Sequence, residues 1–285
     1  MTTAIEGPPR LRRSFPSRFV RNREAMLGAV VLAVVVLVSV AAPWLAPDDP
    51  NAGHAGNTLA PLGTAGHLLG TDDQGRDVLS RVLYGGRGAL LVSISSVTVA
   101  VVLGTVLGLL GAFAGRRASG VLMRIVDLLF AFPVILVALS LAAIVQPGVW
   151  VLTGTVVFGA VPYVARIVFA EAKIERDKDY VEAARALGAS PAAVVRTEVL
   201  PNLVSSVVIY GTSLVGVNIV FTASLSALGL GIQPPDADWG RMISEGAKVL
   251  VTGNPGVATF PAAAILLVAL AFNWLGDGLR DVLNP

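Results

Sequence analysis

Residues 88–115 read GALLVSISSVTVAVVLGTVLGLLGAFAG, 28 consecutive positions without Asp, Glu, Lys or Arg. At about 1.5 Å per residue, a helix over this stretch is longer than the roughly 30 Å hydrocarbon core of a bilayer. Four more charge-free runs lie on either side of it, at 25–47, 128–165, 199–235 and 249–276. The third holds 38 residues and is interrupted by the turn signal Gln146-Pro147-Gly148, so it reads as two helices. The fourth turns polar and glycine-rich after Thr222 and closes at Gln233-Pro234-Pro235, which fits one span followed by a re-entrant or surface segment. The expectation is an all-α integral membrane protein with six transmembrane helices, near 26–46, 88–114, 121–145, 149–170, 204–227 and 258–279.

Composition agrees. Only 14% of the 285 residues are charged and 54% are hydrophobic, with mean hydropathy +0.74. Soluble domains carry about 25% charge, so a soluble enzyme is excluded. The absence of cysteine removes disulfides, thiolate metal sites and cysteine nucleophiles. His54 and His67 read as solvated loop histidines, and no metal cluster is expected. A net charge of +2 gives no reason to expect a nucleic-acid partner.

Sidedness follows from Lys/Arg bias near span ends. Arg10, Arg12, Arg13, Arg18, Arg21 and Arg23 precede the first span and place that end in the cytoplasm. Alternating onward leaves 5 of the 21 basic residues outside (Arg76, Arg81, Arg87, Arg241 and Lys248) and 16 inside. Both termini and residues 171–203 are then cytoplasmic, with 47–87 and 228–257 outside, in a multi-pass protein of the cytoplasmic membrane. The first run, 23 residues, exceeds the about 7–15 of a signal-peptide core, so an uncleaved span is expected.

Within the spans, Gly104, Gly108, Gly111 and Gly115 have the small-xxx-small spacing that lets helices approach closely in lipid, while Pro133 and Pro162 should kink theirs. Asp127 is expected to pair with Arg124, and Asp277 with Arg280, each at i,i+3. No chain of buried acids suggests a proton relay.

The longest inside loop contains Asp179-Tyr180-Val181-Glu182-Ala183-Ala184-Arg185-Ala186-Leu187-Gly188-Ala189-Ser190-Pro191. Asp179 with Glu182 forms a capping-box pattern, Gly188 is a left-handed stop, and Ser190-Pro191 starts a second helix. Two short helices with a sharp elbow result. Local capping explains these residues without function, whereas Val181, Ala183, Ala184 and Leu187 would present small apolar groups to a groove on a partner protein.

That segment resembles the EAA loop of ATP-binding-cassette importer permeases: Glu182-Ala183-Ala184, Gly188 and Leu200-Pro201 keep the order and spacing. Three further stretches are similar to dipeptide/oligopeptide permease C subunits. They are LGTDDQGRDVLSRVLYG at 69–85, Ser226 to Gly231 with Gln233-Pro234-Pro235 and Asp238-Trp239-Gly240, and Phe272 to Asp277 with Leu279-Arg280-Asp281. Departures are Glu198 where many members have histidine, Pro191 where a polar residue is frequent, and Asn284 in place of the aspartate of the terminal Asp-Pro.

The resemblance implies the type I ABC importer permease fold. It divides the chain into a cytoplasmic tail (1–24), a first span with its external loop (25–87) and a five-span core (88–285) carrying the coupling loop 171–203. It implies a heterodimer with a homologous permease, two cytoplasmic ATPase subunits, an external substrate-binding protein and a peptide substrate. Tyr180, Val181, Glu182, Ala183, Ala184, Leu187, Gly188 and Pro201 would form the ATPase-coupling loop. Asp72, Arg76, Asp77, Arg81 and Trp239 are candidates for the external gate or binding-protein contact. In the alternative reading, 76–87 is a surface helix held by Asp77–Arg81 and Trp239 is a membrane anchor. Asn218 and Ser224 are candidate path-lining residues, chosen for polarity. No Gly-x-x-x-x-Gly-Lys-Ser/Thr loop occurs. ATP and Mg are therefore expected on partner subunits, with no cofactor and no catalytic residue here. Import of nickel, glutathione or another small solute by the same architecture is the alternative. An intramembrane protease lacks its paired catalytic groups, and a scaffold or autonomous channel leaves the elbow without a purpose.

Overall fold

The computed structural model describes residues 15–250 and 253–283. Arg10, Arg12, Arg13 and Asn284 lie outside the described residues. The described helices are α1 (Phe15–Arg21), α2 (Arg23–Val40), α3 (Ala42–Leu45), α4 (Val78–Phe113), α5 (Arg116–Phe130), α6 (Val134–Val145), α7 (Val149–Arg176), α8 (Asp179–Ala186), α9 (Pro191–Val194), α10 (Leu200–Ala227), α11 (Trp239–Val249) and α12 (Gly256–Leu283), with a π-helical turn at Val195–Val199. Five stretches, α2, α4, α7, Pro191–Ala227 and α12, are long and apolar enough to cross a membrane; the bent pair α5–α6, taken together as one broken span, makes six.

Span two differs from its expected bounds. The external stretch expected as a separate surface helix is continuous with it, giving a single helix of 36 residues. Arg87, which marked the apparent boundary, lies on that helix and donates 2.6 Å hydrogen bonds from Nε to Ser39 O and from Nη2 to Val40 O. These carbonyls belong to the last turn of α2, where intrahelical N–H partners run out, although the Ala41 N–H also reaches Ser39 O. Arg87 is therefore a cap for its neighbour, and its charge does not end α4.

Span three, expected as one helix over 121–145, is broken. α5 and α6 meet at 82°, because Pro133 removes an N–H and disfavours helical geometry at Phe132. Pro162, the other expected kink, is buried inside the uninterrupted α7. There α4 packs against the adjoining turn. A Cβ at Gly104 would lie 2.6 Å from Val164 Cβ, and one at Gly108 would lie 2.8 Å from the Ala165 carbonyl oxygen. This is the close approach that the glycine spacing announced, although Gly115 takes no part in it, with nothing within 4 Å. On the other side α12 packs against α2 and α10, around a core that includes Leu32, Val215, Ile219, Val268 and Phe272.

Two expected ion pairs are not formed. Asp127 accepts from Arg166 of α7 instead of Arg124, because bending places α5 against α7. Asp277 and Arg280 are both exposed and do not pair.

Candidate functional site

The elbow is built as a rigid piece. α8 begins one residue earlier than expected: Lys178 is the N-cap, and Asp179 stands in the first turn beside Glu182. At the other end Gly188 adopts φ +90°. Its N–H bonds the Arg185 carbonyl at 2.9 Å, and the Ala189 N–H bonds the Ala184 carbonyl at 3.0 Å. This is the paired Schellman closure, for which a left-handed residue is required. Ser190 accepts from the Ala193 N–H at 3.2 Å with Pro191 at the first helical position, as expected. Leu200 then bonds back to Val195, giving the π turn that leads past Pro201 into α10.

Anchoring residues join this elbow to three spans. Val181, expected on the presented face, is instead fully buried with Val194, Val199, Val168 and Ala112. Tyr180 Oη donates to Glu175 of α7 and accepts from Asn202 Nδ2 of α10 at 2.9 Å. Burial, then the Glu175 bond, pushes its phenol up to about 12. Lys178 Nζ reaches the same carboxylate at 2.6 Å, and Arg176 Nη1 donates to the Ala112 carbonyl of α4 at 2.7 Å. α8 is thus tied to α7 and α10, and the end of α7 to α4. Glu182, Ala183 and Gly188 remain exposed, Ala184 is half-buried, and Leu187 is 90% exposed. Pro201 is also exposed.

The opposite end is closed by a cap of loop 47–77, the start of α4, and α11. Asp72 is its centre. Its Oδ1 accepts from the N–H groups of Gln74 and Arg76 at 2.9 Å. Its Oδ2 lies 2.6 Å from Arg76 Nε and 3.5 Å from Arg81 Nε. Glu245 of α11 completes the group, 3.1 Å from Arg76 and 3.9 Å from Arg81. Arg81 also donates to the carbonyls of Pro50 at 3.0 Å and Pro235 at 3.4 Å.

Asp77 caps α4 through the Ser80 N–H at 2.7 Å and receives His67 Nδ1 at 3.0 Å. The expected Asp77–Arg81 pair is therefore replaced by two different partnerships, and His67, expected in solvent, is buried. His54 is exposed beside Asp48. Trp239 donates from Nε1 to the Val82 carbonyl at 2.8 Å and lies on Gly85, where a Cβ would be 2.7 Å from its ring. Asp72, Arg76, Asp77, Arg81 and Trp239 are all buried. None presents its side chain to an incoming protein, and Trp239 is not an exposed membrane anchor. They position the cap. Asp72, Asp73 and Glu245 could converge on a metal ion by distance, but Arg76 and Arg81 already neutralise two of them.

Of the path-lining candidates, Asn218 is buried and bonds the Leu214 carbonyl of its own helix at 2.9 Å. Ser224 is exposed and bonds the Val220 carbonyl at 2.9 Å. The contributions of Arg166, Asn202 and Glu245 were not recognised in the sequence. Arg166 alone left a signal there, as the residue that ends the charge-free run 128–165.

Membrane-length helices with an elbow at one end and an ion-paired cap at the other define a multi-pass membrane protein. Comparison with known proteins gives the family. The family described as "Binding-protein-dependent transport system inner membrane component" matches residues 100–285, and the N-terminal TM domain of oligopeptide transport permease C matches 11–61. The chain belongs to the binding-protein-dependent transport system inner membrane components. Glutathione transport system permease protein GsiD of Pectobacterium atrosepticum is 39% identical over 96% of this chain and 90% of its own length. The di/tripeptide transport system permease protein DppC of Pseudomonas aeruginosa is 36% identical, over 96% and 91%.

Among solved structures, a chain of the MetNI methionine ABC transporter in inward-facing conformations aligns with TM-score 0.60 at 22% identity. The alignment covers 71% of this chain and 96% of that one, and shows a shared fold. The protein is thus an all-α, multi-pass inner-membrane permease subunit of an ABC importer. Its family works with an ATPase and a substrate-binding protein.

Proposed function

We propose that this chain is one of two homologous permease subunits of a peptide importer, driven through its elbow by two cytoplasmic ATPase subunits. Both termini and the elbow face the cytoplasm, and the 47–77 cap faces the substrate-binding protein. ATP and Mg bind to the ATPase subunits, which leaves this chain without a cofactor. Tyr180, Glu182, Ala183, Leu187 and Gly188 form the docking piece, Val181 anchors it, and Pro201 starts the span that carries its motion. The observation that carries this reading is the combination of Leu187, 90% exposed on a closed helix, with Tyr180 bridging α7 and α10 beneath it. An apolar knob on a rigid base suits a groove on a partner protein.

Peptide is favoured as substrate by the match of 11–61 to an oligopeptide permease domain and by a di/tripeptide permease among the relatives. The glutathione permease relative supports a second reading, in which a particular small peptide-like solute is carried. The test is ATP-dependent uptake of labelled dipeptide, tetrapeptide and glutathione by the assembled complex in proteoliposomes. Replacing Glu182 and Gly188, or deleting 179–188, is expected to abolish uptake while leaving membrane insertion intact. Normal uptake by the deletion refutes coupling through the elbow. An ATP-hydrolysing complex that moves none of the three solutes refutes the substrate assignment.

A further inference from the structure

The geometry points to Arg166 and Asp127 as the lining of an aqueous translocation path on the open face of this subunit, where they meet the charged groups of the passing solute. Arg166 of α7 donates to Asp127 of α5, and the two side chains are 42% and 39% exposed. Their depth follows from the helix packing. Gly104 lies against Val164 and Ala165, and Gly108 against Ala165, Val168 and Phe169, so Arg166 is level with that stretch of α4. From there α4 continues to Phe113, about 8–14 Å at 1.5 Å per residue, before the first arginines, Arg116 and Arg117, appear. On the outer side, Val149 begins α7, about 25 Å away by the same rise. The pair therefore lies within the hydrocarbon zone. The other ion pairs among the described residues lie in the external cap or beside the elbow, at residues 175–178.

Ionisable groups at such depth face a bundle interior or a water-filled cavity. A second observation on the same face is independent of charge. Four residues after Asp127 the backbone leaves helical geometry between α5 and α6, and Ala131, Phe132 and Pro133 are all exposed. Non-helical backbone at membrane depth is tolerated only where protein covers it or where it borders water. Tyr163, one turn before Arg166, is exposed as well. A half-exposed ion pair beside a half-exposed chain break needs a polar surrounding that lipid does not supply. Each charge has the sign opposite to one end of a zwitterionic peptide; to that extent the inference rests on the peptide reading.

The chain contains no cysteine, so single cysteines report directly. In the assembled complex, Tyr163→Cys and Phe132→Cys are expected to react with a membrane-impermeant, charged methanethiosulfonate, with modification of this chain read by mass spectrometry. Reaction only with a lipid-soluble maleimide makes this a lipid face, and reaction with neither reagent makes it a buried subunit contact. Either result overturns the proposal. For the solute contact, Arg166→Gln and Asp127→Asn are expected to lower uptake of a free-ended dipeptide tenfold or more and that of its end-blocked form less than twofold. Equal loss of both overturns the contact and leaves a structural bracket. A wild-type complex that moves no peptide refutes the substrate reading alone, since the labelling result stands without it.

Discussion

Replacing Asp72 with asparagine tests whether the cap of loop 47–77, α4 and α11 is held by charge balance. In the native cap Asp72 and Glu245 face Arg76 and Arg81, two charges of each sign. Asp72 is 2% exposed and Arg81 1%. The substitution keeps the shape but leaves two buried guanidinium groups with a single carboxylate. Removing one partner of a buried ionic group costs about 3–5 kcal/mol, because a charge is left uncompensated. At roughly 2–4 °C per kcal/mol for chains of this size, the unfolding midpoint should fall by about 6–20 °C. Scanning the purified complex in detergent by tryptophan fluorescence measures this, since Trp239 lies in the cap. The double variant Asp72→Asn with Arg81→Met removes one charge of each sign. Its loss should be smaller than the sum of the two single losses by about 0.5–3 kcal/mol, the usual coupling of residues in one network. Additive losses, or a single-variant shift under 2 °C, would refute the charge-balance account.

Three further outcomes are expected. Gly108→Leu should cost about 1–3 kcal/mol by overpacking, since its Cβ would meet Val168 Cβ at 2.7 Å and the Phe169 backbone nitrogen at 2.9 Å. Gly115→Ala, with nothing within 4 Å, should leave the unfolding midpoint unchanged, and equal shifts for the two variants would refute close α4–α7 packing. Leu187→Asp should keep stability within about 0.5 kcal/mol, as exposed positions usually do, yet abolish stimulation of ATPase activity by loaded binding protein; normal stimulation would remove Leu187 from docking. Tyr180 should ionise at about 12, read as the difference in phenolate absorbance between wild type and Tyr180→Phe. Because this value is raised, the stabilisation is fully present below the free-tyrosine value near 10 and is lost as pH rises through about 12; a midpoint near 10 would show that the Glu175–Tyr180–Asn202 bridge is absent.

Local signals identified the elbow well. Gly188 and Ser190-Pro191 act within a few residues of themselves, through backbone geometry and a helix's own first turn, so their roles were legible before any fold was known. The same logic misplaced the helix start by one residue, because Lys178 and Asp179 both allow an N-terminus there and nothing local chooses between them. Val181 was misread for a different reason. An apolar residue on a short amphipathic helix can face a partner or its own core, and only the positions of Val168, Val194 and Val199 decide which.

Charged residues were the least legible. Asp127 could reach Arg124 along its own helix, yet it pairs with Arg166, 39 residues away, because the break at Pro133 lays α5 against α7. Asp77 could reach Arg81, yet Asp77 takes His67 and Ser80 while Arg81 takes Asp72 and Glu245. Arg87 suggested a helix boundary and instead caps α2 from within α4.

Composition and periodicity alone therefore determined that this protein lives in a bilayer, where its long apolar helices run, and where its elbow turns and closes. These depend on the transfer of segments from water and on hydrogen bonds within one turn. Tertiary structure decided which charges meet, which motif residues are buried in the cap, and which face of the bundle carries an ion pair and broken backbone. An ion pair is chosen by distance across helices, and sequence separation does not encode that distance.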